Sequence, residues 1–278
     1  MKVNLARSAG FCFGVKRAIN MALETASSCK NVFMLGDIVH NEDVIKQITR
    51  AGITKIDKLG PGKGKTLLLR AHGASRAFIE KVKKCGYRII DATCPMVKEI
   101  HKIAIGMEKK GRKIIIIGDK NHDEVRGIIG QLKGKALVID SERGIPFPAL
   151  KKIKKACVVT QSTQNIEKVM AILEILKKHI PHVDFFNTIC GPTRIKQKEV
   201  REMPVNNGVM IVIGSRNSAN TKRLYEISRS INKDTYWVNS TLDIKKAWFK
   251  KRGDIGVTAG ASTPEQTIKK IVGYLKSI

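Results

Sequence analysis

The chain has 278 residues, 42% of them hydrophobic, enough apolar content to bury a core and to exclude disorder over most of its length. Lys and Arg number 52 against 24 Asp and Glu, a net charge of +28, but they are spread along the chain and aromatics are only 5%, so no basic arm or stacking platform makes a nucleic acid the expected partner. No apolar run nears the roughly 18 residues of a membrane span, and no signal-peptide pattern precedes the first strand, so we expect a cytoplasmic protein with no membrane association.

In chain order, a strand-like VNLA leads to Cys12 in GFCFG. A helical KRAINMALETA follows, then a strand ending at Gly36 in VFMLGDIVHNED, then a second strand, TLLLRAHGAS (66–75). The order recurs with Cys94, the helical VKEIHKIAIGMEKKG, IIIIGDKNHDEV (114–125) and ACVVTQSTQN (156–165). It recurs again with Cys190, RIKQKEVREM, VMIVIGSRNSAN (209–220) and DIGVTAGAST (254–263). Pro95 and Pro192 sit where two of these helices begin, a position that tolerates a missing N–H.

Cys12 and Gly36, Cys94 and Gly118, and Cys190 and Gly214 are each 24 positions apart. Three equal offsets define a threefold internal repeat. Alternating strands and helices predict parallel sheets, so the fold class is α/β with three related units. We place the units at 14–95, at 96–189, and at 1–13 plus 190–278. Pseudo-threefold packing would gather the strand-end loops and the three cysteines around one central cavity.

A cysteine at a helix start has its thiolate stabilised by the helix dipole, which suits a metal–sulfur centre. Two centres fit three such ligands. Mononuclear zinc would need a fourth ligand. An iron–sulfur cube would keep one iron open as a Lewis acid. Cys29, Cys85 and Cys157 fall in a polar connection, before a helix-ending glycine and in a buried strand, and read as packing or surface residues. His40, His72 and His122 lie on strand-end loops, with Ser218, Asn220 and Ser262 on those of the third unit. This donor set suits a phosphate-like anion. There is no nucleotide-binding glycine motif. Glu124 keeps cavity register with His122, whereas Asp123 should point away. An acid beside an electron-delivering centre points to reductive removal of an oxygen from a small anionic substrate.

The series GFCFGVKRAI, HNEDVI, RAHGAS, DATCPMVKEIH, NHDEV, TQST, NTICGPTRIKQ, GSRNSANTKRL and TAGASTP resembles, in order and over the full chain, the 4-hydroxy-3-methylbut-2-enyl diphosphate reductases (the IspH/LytB family). The resemblance implies a trefoil of three α/β units around a central [4Fe–4S] cluster. It implies Cys12, Cys94 and Cys190 as the three ligands and one open iron that binds the substrate hydroxyl. It implies reductive dehydroxylation of the diphosphate substrate to isopentenyl and dimethylallyl diphosphates, the last step of the methylerythritol phosphate route to isoprenoids. A ferredoxin or flavodoxin would supply electrons. His40, His72, His122, Ser218, Asn220 and Ser262 match the diphosphate-binding positions, Glu124 the proton-delivering acid, and Ser162 a position near the substrate hydroxyl where the family usually has threonine. Three departures stand out: Asp123 beside Glu124, Ala219 in place of a serine, and Lys196 where the family usually has arginine. Two other functions remain open to the sequence: a basic iron–sulfur binding or regulatory protein, and a reductase of another allylic alcohol.

Overall fold

The structure is a computed structural model that describes residues 1–249 and 253–278. From the N-terminus, β1 (Val3–Leu5) and α1 (Phe13–Ser28) lead to β2 (Val32–Leu35), α2 (Glu42–Arg50), β3 (Thr54–Ile56), β4 (Thr66–Leu69), α3 (Arg76–Lys84) and β5 (Arg88–Asp91). Next come α4 (Pro95–Lys109), β6 (Lys113–Ile117), α5 (Asp123–Ile129), β7 (Leu137–Ile139), α6 (Phe147–Leu150), β8 (Lys155–Thr160), α7 (Ile166–His179) and β9 (His182–Phe185). The chain continues with α8 (Gly191–Asn206), β10 (Val209–Ile213), α9 (Ala219–Ile231), β11 (Thr235–Val238), β12 (Ile255–Ala259) and α10 (Glu265–Lys276).

Among the described residues the strands form three four-stranded sheets, all parallel, in the orders β3-β2-β4-β5, β7-β6-β8-β9 and β11-β10-β12-β1. Each sheet has the same design. Its first strand lies inside, the second goes to one edge, and the third and fourth extend the other way. The chain divides into two compact units. One comprises Met1–Lys16, Val39–Gln47 and Gly191–Ile278 and holds the β10–β12 sheet with β1. The other comprises Arg17–Ile38 and Ile48–Cys190 and holds the other two sheets.

The inner strands are near-continuous apolar runs because helices cover both faces of a parallel sheet. In the β6–β9 sheet, Ile115, Ile117 and Val158 pack with Val169, Ile172 and Leu176 of α7. The alternate residues Ile114, Ile116 and Val159 pack with Ile100 of α4 and with Val125 and Ile128 of α5. Likewise, Ile211 and Val257 face Ile268 and Ile271 of α10, while Val212 faces Val200 of α8 and Leu224 of α9. The period-2 alternation that assigns each residue a face is that of any strand.

Candidate functional site

In a parallel sheet, binding loops lie beyond the carboxyl ends of the strands, at the point where strand order reverses. Here the reversal falls between the first and third strand of each sheet. The loops at those points carry His40 and Asn41 after β2, His72 and Ser75 after β4, and His122 after β6. They also carry Ser162 after β8, Ser218 after β10 and Ser262 after β12. Two glycines permit these turns. Gly214 has φ +148°, and a Cβ there would stand 2.6 Å from Thr221 Oγ1. A Cβ on Gly118 would come within 2.9 Å of the Gln161 and Val125 side chains.

The cysteines repeat a single local construction. Each follows the fourth strand of its sheet and stands at the start of a long helix: Cys12 before α1, Cys94 as the N-cap of α4, Cys190 before α8. Each donates its backbone N–H to the loop after the third strand: Cys12 to Ala261 O (3.1 Å), Cys94 to Ala71 O (2.9 Å), Cys190 to Ser162 O (3.0 Å). Every cysteine is thereby pinned beside a loop that carries a candidate polar residue. The Cys12 Sγ accepts from Val15 N at 3.5 Å, the helix-start contact that favours a thiolate. All three are half-buried, whereas Cys157 lies inside β8, where burial first of all pushes its thiol up to about 12. As a donor set, three half-buried thiols at helix starts fit an iron–sulfur centre, and a buried, protonated Cys157 does not.

In the larger unit, Glu124 is 3% exposed and binds Ser162 twice. Ser162 N donates to Oε1 at 2.6 Å and Ser162 Oγ to Oε2 at 2.7 Å. Burial raises the carboxyl above its ordinary value, and the two Ser162 hydrogen bonds pull it part of the way back. His122 caps α5, its Nδ1 accepting from Glu124 N at 3.2 Å. The neutral ring therefore carries its proton on Nε2. The His72 and His122 rings stand edge to face with centroids 5.6 Å apart. Asp123 turns to the Arg70 guanidinium at 2.7 Å, whereas Glu124 turns to Ser162.

In the smaller unit, Ser218 caps α9 by accepting from Thr221 N (3.3 Å), and Ser262 Oγ donates to His40 O (3.1 Å). Asn220 is 4% exposed, and its Oδ1 accepts from Ala261 N at 2.9 Å. Its Nδ2 is buried and has no hydrogen-bond partner among the described residues. The sequence reading passed over Arg70, Gln161 and Glu199. Gln161 Oε1 accepts from Asp119 N (3.0 Å) and holds the loop that leads to His122. Only the TQST motif hinted at that role.

The fold is that of an α/β enzyme, with a buried acid–hydroxyl pair in the larger unit and polar side chains in the smaller one, each at the carboxyl ends of parallel strands. A family model described as LytB protein matches residues 3–276. The 4-hydroxy-3-methylbut-2-enyl diphosphate reductase of Geobacter metallireducens is 37% identical over 279 residues, covering 100% of this chain and 98% of that protein. The Campylobacter curvus protein of the same name is 37% identical over 278 residues, with 99% of each covered. Two solved structures are similar. The E-1-hydroxy-2-methyl-but-2-enyl-4-diphosphate reductase of Plasmodium falciparum has 30% identity and a TM-score of 0.91, covering 99% of this chain and 88% of that one. A structure described as (E)-4-hydroxy-3-methyl-but-2-enyl diphosphate reductase, the terminal enzyme of the non-mevalonate pathway, has 34% identity and a TM-score of 0.73, with 100% of both covered. The chain belongs to the LytB family, and an iron–sulfur centre is consistent with that membership.

Proposed function

We propose that this chain is an oxidoreductase that removes the allylic hydroxyl of 4-hydroxy-3-methylbut-2-enyl diphosphate and forms isopentenyl and dimethylallyl diphosphates. The C–O bond breaks, two electrons come from a protein donor of the ferredoxin or flavodoxin kind, two protons are taken up, and the oxygen leaves as water. Membership of the family carries the reaction, and the buried Glu124–Ser162 pair is the observation that supports it at the level of residues.

Cys12, Cys94 and Cys190 would hold a [4Fe–4S] cluster with one open iron. When bound, the cluster supplies single electrons and a Lewis-acidic iron. Burial raises the Glu124 carboxyl above the ordinary carboxylate range, which suits it to deliver a proton to the departing oxygen. Ser162 orients that carboxyl with its N–H and its hydroxyl, beside the place of the substrate oxygen. His40, His72, His122, Ser218, Asn220 and Ser262 bind the diphosphate. The Asn220 amide donor supports this reading, as does the N-terminal end of α9 that Ser218 caps.

Glu124→Gln tests this reading. Turnover should drop by about 100-fold or more while iron content and melting temperature stay at the wild-type level. The wild-type rate should fall as pH rises through the raised value of Glu124, because the protonated form is the active one. An active Glu124→Gln enzyme would remove Glu124 as the acid.

A further inference from the structure

The sixth position after the cysteine distinguishes the three repeats. In the first two it is Ala18 and Ile100, both buried and apolar. In the third it is Lys196, only 2% exposed. Its ammonium donates to Ser8 O, to Gly10 O at 3.0 Å and to Ala259 O at 3.2 Å, so each of its three donors faces a backbone carbonyl. One turn further along α8, Glu199 accepts from Ser8 N at 3.1 Å and from Ser8 Oγ at 2.5 Å. The two side chains thus grip both the donors and the acceptors of the bend that leads into Cys12, where Gly10 has φ +96°.

The topology gives a reason for the difference. In the first two repeats a single helix joins the third strand to the fourth, α3 between β4 and β5 and α7 between β8 and β9. In the third repeat these strands are β12 and β1, and Val3 pairs with Ile255 across nearly the whole chain. The entropy of closing so long a loop is not offset by a local connection. We propose that Lys196, assisted by Glu199, is a positioning residue that replaces the missing connection and fixes the Cys12 bend against α8 and the end of β12. Its role toward the iron–sulfur centre rests on the reading of Cys12 as a ligand. The same grip extends to Asn220, since Cys12 N donates to Ala261 O and Ala261 N donates to Asn220 Oδ1.

Hydrogen exchange on the full chain, iron-loaded and iron-free, tests the proposal. Lys196→Met keeps the length of the side chain and removes its donors. Exchange at residues 8–12 should quicken by about tenfold or more, as for the loss of a charged hydrogen bond, with β6 and β8 unchanged. Val200→Ala, a core change on the same helix, should give no selective effect at 8–12, and Lys196→Arg should restore part of the protection. Uniform exchange across the chain, or the same pattern from Lys196→Met and Val200→Ala, would overturn the proposal. If Lys196→Met does not fold, Glu199→Gln serves instead: a smaller selective rise at 8–12 supports the latch and unchanged exchange overturns it. Whether Cys12 is a ligand is read separately, from the iron content of Cys12→Ser, so the latch and the ligand assignment can fail independently.

Discussion

At Glu124 burial and hydrogen bonding oppose each other, and burial prevails, so the carboxyl is biased toward its protonated form. The neighbouring Asp123, which the sequence presents as a second carboxylate at the site, is paired with Arg70. Register alone indicated that Asp123 points away. Its partner, 53 residues distant, leaves no local pattern by which to find it. His101 on α4 is a buried histidine whose Nε2 has no hydrogen-bond partner among the described residues. A Cβ on Gly73 would come within 2.8 Å of its ring, beside the loop that bears His72. Burial brings this histidine down to about 4 from its usual 6.5, and the Asp91 charge opposes that only in part. Between those values the unfolded chain binds more protons, so stability is complete above pH 6.5 and is lost as pH falls toward 4. His101→Leu should flatten the melting curve over that window, by an amount on the order of 3 kcal/mol. Wild-type and variant profiles that run parallel from pH 6.5 to 4 would show that His101 does not titrate in this way.

At the scale of elements, the strands read from the sequence are the inner ones, together with the edge strand β1 in VNLA. The runs at Val32–Leu35, Thr66–Leu69, Lys113–Ile117, Lys155–Thr160, Val209–Ile213 and Ile255–Ala259 are all present. Apolar residues on both faces make such strands conspicuous. The sequence did not reveal β3, β5, β7, β9 and β11. They are short outer strands such as TKI, RIID and HVDF, with charged or half-exposed positions that resemble loops. Two of them, β5 and β9, are the strands that deliver Cys94 and Cys190 to their helices, so the repeat was detected by its cysteines and not by the strands that place them. Replacing Cys12, Cys94 or Cys190 with serine should strip most of the iron, whereas Cys29→Ser, at the exposed end of α1, should retain it. Iron and sulfide analysis of anaerobically purified variants decides this, and equal losses from all four would contradict the assignment of ligands.

Across the whole molecule the most unusual quantity is the charge of +28. Exposed ion pairs such as Lys83–Glu80 and Lys269–Glu265 contribute little. An excess of this size acts at long range, and an acidic electron donor is the partner it would attract. Reduction by an acidic ferredoxin or flavodoxin should slow as salt rises past about 0.1–0.15 M, where exposed charges are screened within about 8–10 Å. Stopped-flow rates that do not vary with salt would separate the charge from electron delivery. The decisive measurement is anaerobic turnover of 4-hydroxy-3-methylbut-2-enyl diphosphate by the iron-loaded protein, with a reduced viologen dye as the electron source. Oxidation of the dye should depend on the substrate, with isopentenyl and dimethylallyl diphosphates as the products. An intact iron–sulfur centre that leaves this substrate unchanged would contradict the proposed reaction.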